Sequence, residues 1–559
     1  MRHRMISVVT TGCLLVACAF LSIDPAQMAP ADEADAPASA LMLNLDIVDA
    51  NGRPTAARFS LKVDGEIFQP RTLNSHGLRF VSVHESKKQV YPVTYSRGTG
   101  PVEVQLPKGT KTVEVHVAKG FEFLPTTVMS ETNDGAPTNV RVTLNRWVDL
   151  EAKGWRAADA HLHYDRLSRA DNADWLTMLE ADGLSHAFFM ILKGGKVPGI
   201  WADQYAYGEK GEASDGQRRL VSGEEYRDSA MGHINLLGLS EVIQPISTGG
   251  LGEPKVHVNW PPLLNVLKRS RELGGLSGVA HGGSLGRHPT ATADTVLGAV
   301  DFFEIGNAHL YATDLWYRLL NCGYHLPPAA GTDLPNYPFR DGWQPFLGSM
   351  RMYVKTGGRN DFPSWKDAVK RGEVFVTSGP LLNFTVNGQS AGSTVRLPAG
   401  GGFVTVDAKM TSPLPLNEFQ IVQSGKVLNV EAEELLAGEI HERSIRQRLR
   451  IDRSCWLAVR GRGVPIRSLK GSIKSTEAWI ETDAIAHSGI VRVLVDDQPI
   501  RSKSDARELI RLLRTQQQYY RASGRYTNAN DRLAMLDLFE QAVQQLESRA
   551  TERRDSRTR

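Results

Sequence analysis

Cysteine is scarce in this chain: 559 residues carry four, and the two beyond the first forty positions, Cys322 and Cys455, stand alone. At most one disulfide can join them, and neither has a neighbour at zinc-finger spacing, so a disulfide-built scaffold and a thiolate metal finger are both excluded. Charge of one sign is lacking as well. With 65 Lys and Arg against 62 Asp and Glu, the formal net charge is +3, and no overall field favours nucleic acid or an anionic membrane. The apolar run from Met5 to Phe20 is too short to span a bilayer.

That run follows the basic start Met1-Arg-His-Arg, the pattern of an export signal over residues 1–23. Two processing routes stay open. Leu15-Val16-Ala17-Cys18 has the form of a lipobox, in which Cys18 would carry a lipid anchor, and Ala38-Ser39-Ala40 suits an ordinary signal peptidase. Either way residues 24–40, rich in Pro, Ala and Asp, form a flexible tether. The expected location is the periplasm or the cell surface. The rest, 41% hydrophobic and 23% charged overall, is of ordinary globular composition and too long for one core.

Residues 41–150 alternate polar and apolar in runs such as Thr112-Val-Glu-Val-His-Val, separated by Asn51-Gly52, Asp64-Gly65 and Asn133-Asp134-Gly135, and predict a small β-sandwich. Residues 151–380 change character, with apolar strand-like runs alternating with helical segments over Asn172–Asp182, Pro262–Leu273, Ala291–Val300 and Asp314–Cys322. This is the pattern of a βα barrel or a layered α/β domain. Residues 381–500 read as a second β domain, residues 501–550 as a helical hairpin over Ala506–Tyr520 and Asn530–Leu546, and residues 551–559 as a disordered polar tail. The hairpin pattern leaves open whether it packs on the barrel or pairs with a partner.

Chemistry concentrates in the middle region. In Asp159-Ala-His161-Leu-His163, residues i and i+2 of a strand face the same way, so two imidazoles meet on one side. Single ligand-type residues follow in Gly223-Glu224-Glu225, Gly232-His233, Ala280-His281-Gly-Gly, Phe303-Glu304-Ile-Gly-Asn307 and Gly331-Thr-Asp333. Any one of them is as readily a satisfied core group. Six together predict convergence at the carboxyl ends of the strands, where the loops of a βα barrel share one mouth. Strand alternation admits Glu224 or Glu225 to the inner face, and a one-residue shift exchanges them.

The order Asp-x-His-x-His, Gly-x-Glu, Gly-His, Ala-His, Phe-Glu-x-x-Asn, Gly-Thr-Asp between about Trp155 and Leu382 resembles the polymerase-and-histidinol-phosphatase (PHP) superfamily, and within it the exported carbaryl-hydrolase-like (CehA/McbA) branch. The resemblance implies a multidomain α/β plus β fold: a distorted (β/α)7 barrel flanked by the two β domains. It makes His161, His163, Glu225, His233, His281 and Asp333 metal ligands, sets Glu304 at the ligand edge or just behind it, and puts Asp159 behind the ligands. Thr377-Ser-Gly-Pro-Leu-Leu and Ala486-His-Ser-Gly-Ile-Val-Arg-Val resemble the β domain that follows the barrel in that branch. Two departures are plain. Ile191-Leu192 stands where many members have Asp-His, and Asp333-Leu-Pro lacks the usual closing histidine. A reduced centre of one or two divalent ions is therefore expected, with zinc the first choice over manganese or iron. His186 reads as a packing residue.

Such a site predicts hydrolysis by activated water, with Asp333 or Glu304 carrying the proton. The bond attacked stays open among ester, amide, carbamate and phosphoester, with a lean towards the first three. Lys193, Lys196, Arg287 and Arg340 would suit a phosphate, and Trp201, Tyr205, Tyr207, Tyr337 and Trp343 an apolar or sugar-lined cleft. The rival reading is an exported binding protein for polysaccharide or protein, with an inactive metal site. Nucleic acid is not expected as a partner, and oligomeric state stays open.

Overall fold

The computed structural model of the protein describes residues 41–551 except 85–88, 133–135, 194–199, 229, 245, 247–258, 284–287, 308–309, 336–345 and 465–483. Cys18, Ala38-Ser39-Ala40, the tether and the tail after 551 lie outside the described residues. So do the side chains of Lys193, Lys196, Trp201, Arg287, Tyr337, Arg340 and Trp343.

Alternation builds the first region. Leu41, Leu43, Leu45 and Ile47 point inward from the strand Leu41–Asp49, and Val113, Val115 and Val117 answer them from Thr112–Ala118. Leu41–Asp49 sits between Thr138–Leu144 and Val102–Leu106 in one sheet, and Ala56–Val63 lies between Gln89–Arg97 and Thr112–Ala118 in the other. At Asp64-Gly65 both φ angles are positive, 50° and 87°, as a tight hairpin demands, and the Asp64 carboxylate accepts from the backbone N–H groups of Lys111 and Thr112.

The middle region begins with the strand Trp155–Leu162. It pairs in parallel with His186–Lys193, which pairs in parallel with Arg219–Asp228. Pairing then passes antiparallel through Gly232–Leu237 to Leu276–Val279, and in parallel through Phe302–Asn307 to Pro328–Ala330. Backbone bonds from Asp333 N to His161 O (2.7 Å) and from His163 N to Leu334 O (2.6 Å) tie the last segment back to the first strand. Four helices fall within a few residues of the expected spans: α1 Asp171–Ala181, α2 Leu263–Glu272, α3 Ala291–Val296 and α4 Asp314–Asn321. Strict strand–helix alternation does not hold throughout: Arg219–Asp228 and Gly232–Leu237 pair antiparallel with only three residues of chain between them, too few for a crossover helix. A further helix, α5 Phe362–Arg371, carries an Asp361 cap that accepts from Ser364 N (2.8 Å) and a left-handed Gly372 at its end.

Val374–Thr377 pairs with Arg351–Lys355 on one side and with Ala484–Ser488 on the other, so the middle sheet runs on into the C-terminal strands. There Gly402–Ser412 and Ile440–Ile451 form the longest antiparallel pair. The hairpin of α6 Lys503–Ser523 and α7 Ala529–Thr551 packs onto the middle region: Tyr520 Oη donates to Ala230 O (2.5 Å), and Asp505 accepts from Arg318 and Asn321. Cys322 and Cys455 are both free and buried, and burial pushes their thiols up to about 12 and about 11, so neither is reactive at neutral pH.

A buried network joins the N-terminal sandwich to the middle region. Arg58 donates to Asp182 (2.7 Å), Tyr95 Oη donates to the other Asp182 oxygen (3.1 Å), and the Arg58 guanidinium lies 3.6 Å from the Phe346 ring centre. Removing one partner leaves the other charge buried without a counter-charge. Asp182→Ala is expected to lower unfolding free energy in urea by about 3–5 kcal/mol, and a loss under about 1 kcal/mol would show that the junction carries no stability.

Burial, reinforced by Arg219, pushes His186 down to about 3, so the folded chain keeps this ring neutral. The unfolded chain binds a proton there below about 6.5. Stability from this group is thus complete above that pH and declines as pH falls towards 3, by at most about 1.4 kcal/mol per pH unit. Urea titrations at about pH 7.5 and about pH 5 should show a smaller acid loss in His186→Phe than in the parent chain. Equal losses would assign the effect elsewhere.

Candidate metal centre

Three strand ends and two loops deliver the candidate ligands to one place. Asp159 and His161 stand on the first strand and His163 one residue past its end, Glu225 comes from Arg219–Asp228, and His233 from the start of Gly232–Leu237. His281 and Asp333 sit just past their strands with φ of 55° and 56°. A left-handed backbone at a non-glycine residue is strained and persists only where its surroundings hold it. Here Glu304 Oε2 accepts from His281 N (2.7 Å), and His161 O accepts from Asp333 N (2.7 Å).

Ligand atoms sharing an ion at ~2.0–2.2 Å lie about 3–3.5 Å apart. The spacings here match. His161 Nε2 is 3.0 Å from His163 Nε2, and Asp333 Oδ1 is 3.5 and 3.3 Å from those two nitrogens. Glu225 Oε2 is 3.1 Å from His163 Nε2, while Oε1 is 3.1 Å from both His233 Nδ1 and His281 Nε2. Three overlapping triads result, each with its donor atoms within 4.8 Å of one another and every member buried: His161–His163–Glu225, His161–His281–Asp333 and Glu225–His233–His281. Imidazole and carboxylate without thiolate fits zinc, manganese or iron(II). All six residues expected as ligands are brought together.

The surrounding polar groups fix which nitrogen faces inward. His161 Nδ1 lies 2.8 Å from Glu304 Oε1, and His163 Nδ1 lies 2.8 Å from Met190 O; a proton donated outward at Nδ1 leaves each Nε2 lone pair aimed at the centre. The Asn307 amide nitrogen lies 2.8 Å from His281 Nδ1. Glu304 therefore stands just behind the ligands. Its two oxygens face His161 Nδ1 and His281 N. Asp159 accepts from Thr332 N, Thr332 Oγ1 and Gly348 N at 2.8, 2.6 and 3.0 Å, pinning the loop that carries Asp333. Glu224 points to the other face, where it accepts from Ile243 N (3.0 Å), so the adjacent pair resolves with Glu225 inward.

Charge within the cluster is strongly coupled. Burial works against a charge on His161, but Glu304 and Asp333 overcome it and hold that pKa well above the usual histidine range. Burial likewise opposes the Glu225 anion, and Arg227 and His233 overcome it, keeping Glu225 far below the usual carboxylate range. Asp333 is held low in the same way, chiefly by His161 against the cost of burial. Burial pushes His233 down to about 4. Glu225 and Asp333 are thus ionised, and the proton held on His161 is one that an incoming cation must displace.

His186 is a packing residue, its ring 6.0 Å from that of Trp365. Ile191 and Leu192 are buried apolar groups. Tyr205 Oη accepts from Asn172 (2.9 Å), and Tyr207 is packed against the apolar core. Two polar neighbours escape the sequence pattern. Arg227 donates from Nε to Glu225 Oε2, and Asn235 lies 3.1 Å from His161 Nδ1; both stand two residues beyond a predicted ligand, on the same strand face. Asn307 stands three beyond Glu304, which regular alternation would turn away, but a register shift between Glu304 and Gly306 brings it round.

No family model matches the chain, and no curated protein matches it in sequence. Two solved structures align weakly: an endonuclease Q in complex with a 27-mer duplex bearing an abasic lesion, at TM-score 0.23, and the lesion-specific endonuclease Q of Pyrococcus furiosus, at 0.22. Each is 15% identical, and each alignment covers 39% of this chain and 56% of the neighbour's. A superposition that loose assigns neither fold nor activity.

Gly331 marks how tightly the centre is closed. A Cβ there would lie 2.4 Å from His161 N and 2.5 Å from His161 Cβ, so Gly331→Ala must push apart the two segments that carry His161 and Asp333. Metal affinity of this variant, measured by chelator competition, is expected to fall roughly 10–100-fold. Parental affinity would show that the segments move freely.

Proposed function

We propose that this protein is an exported metal-dependent hydrolase with a PHP-like centre, its seven-strand circuit forming a distorted barrel of that family. The three buried, overlapping donor triads carry the reading: six ligand-type side chains turn lone pairs and negative charge towards one small volume, which is costly unless a cation is held there. His161, His163, Glu225, His233, His281 and Asp333 would hold one or two ions, zinc by first preference. Ions bound at such ligands lower the pKa of water from ~16 towards ~7 and polarise a scissile carbonyl or phosphoryl oxygen.

The chain's own groups then have distinct tasks. Asp333, held ionised and slightly open to solvent, takes the proton of the attacking water at a carboxylate oxygen and returns it to the leaving group. Glu304 and Asp159 orient His161 and the Asp333 loop without touching substrate. The substrate class that fits best is a neutral ester, amide or carbamate, reached outside the cytoplasm, with or without a lipid anchor at Cys18.

The test joins metal analysis to a substrate panel. Purified protein should hold one or two transition-metal ions per chain and hydrolyse at least one of a carbamate, ester, amide or phosphoester. His161→Ala and Asp333→Asn should each lower metal-supported turnover by about 100-fold or more. A chain with no tightly bound metal and no metal-stimulated hydrolysis would instead be a binding protein.

A further inference from the structure

Among the described residues, Arg227 is the cation that touches the candidate centre. It stands two residues beyond Glu225 on the same strand face and pairs across the hairpin with His233, and its side chain is 11% exposed. Its Nε donates to Glu225 Oε2. That contact makes the two oxygens of one carboxylate unequal. Oε1 faces His233 and His281 at 3.1 Å each, whereas Oε2 divides itself between His163 Nε2 at 3.1 Å and the guanidinium.

A guanidinium cannot discharge near neutral pH. It therefore cannot step aside electrically when a second cation approaches. Bound to Oε2, it draws electron density from that atom and repels a divalent ion seeking it. The triad built on Oε1 suffers less, because its donors are two imidazoles and the opposite oxygen. The His161–His163 pair keeps a second carboxylate in Asp333 Oδ1, at 3.5 and 3.3 Å, so a place for another ion remains, with Glu225 contributing less to it.

We propose that Arg227 makes the centre asymmetric: through Glu225 Oε2 it weakens ion binding at His161–His163, so that the Glu225–His233–His281 triad fills first and the other second. This rests on the metal-binding reading above and adds a rank order that the reading does not contain. Arg227 is a positioning residue in this scheme, acting on the ions through Glu225.

The test is zinc titration of the chelator-stripped full chain by calorimetry, with bound zinc counted by mass spectrometry and folding checked by thermal melt. The parent should show two unequal sites, or one filled site at limiting zinc. In Arg227→Met the weaker site should tighten by roughly 10-fold or more, bringing the two constants together. Arg227→Lys keeps the charge without the Nε bond and should fall between. Unchanged constants in a folded Arg227→Met, or a looser second site, would overturn the asymmetry and leave the metal reading standing. A parent chain that binds no zinc would overturn both.

Discussion

Two buried imidazole nitrogens, His161 Nε2 and His163 Nε2, lie 3.0 Å apart, and most of what surrounds them exists to keep them there. Neutral rings turned lone pair to lone pair repel, and the nearby carboxylates of Glu225 and Asp333 would repel each other in the same small space. Protons relieve part of this, as the raised pKa of His161 shows. A divalent ion relieves it more fully, since it satisfies every inward atom at once. The cost of holding the cluster ready is visible in the backbone, with His281 and Asp333 both kept in left-handed conformations by bonds to Glu304 and to the first strand.

The same bonds link the centre to the domain junction. Gly348 N donates to Asp159, and Gly348 O accepts from Arg351 Nε at 2.6 Å. Arg351 is fully buried, with its guanidinium 3.9 Å from the Phe121 ring centre in the N-terminal sandwich. The neighbouring Arg58–Asp182 pair closes the same junction. The sandwich thus does more than precede the candidate catalytic region: its docking fixes the peptide that orients Asp159, which fixes the loop of Asp333. Tyr520 reaches Ala230 from the C-terminal hairpin, beside the turn between the strands of Glu225 and His233. The N-terminal sandwich and the C-terminal hairpin both brace segments that carry ligands.

Much of this is legible in the order of the amino acids. Period-two alternation alone puts His161 and His163 on one face and makes strands of Leu41–Asp49 and Thr112–Ala118. The helical spans of α1 to α4 follow from apolar spacing and differ from it by a few residues at their ends. Helix α5 has its signals too, with Asp361 and Pro363 at one end and Gly372 at the other, but no ligand lies beside it to draw notice. Strand–helix alternation fails at Asp228 because a three-residue gap leaves room for a turn and nothing longer.

Local sequence by itself determined which residue types could serve and the period on which they recur: paired histidines, strand-end carboxylates, glycines where chains approach closely. Tertiary structure decided which of them meet. Glu224 and Glu225 are chemically identical, and the pairing register alone turns one towards Ile243 N and the other towards His163. Asn307 faces His281 because a register shift breaks the alternation that sequence must assume. Glu304 lies behind His161, with both oxygens occupied by groups 143 and 23 residues away. Short-range pattern fixes the face on which a side chain stands, whereas contacts across such distances depend on how strands are paired, and no local period encodes that.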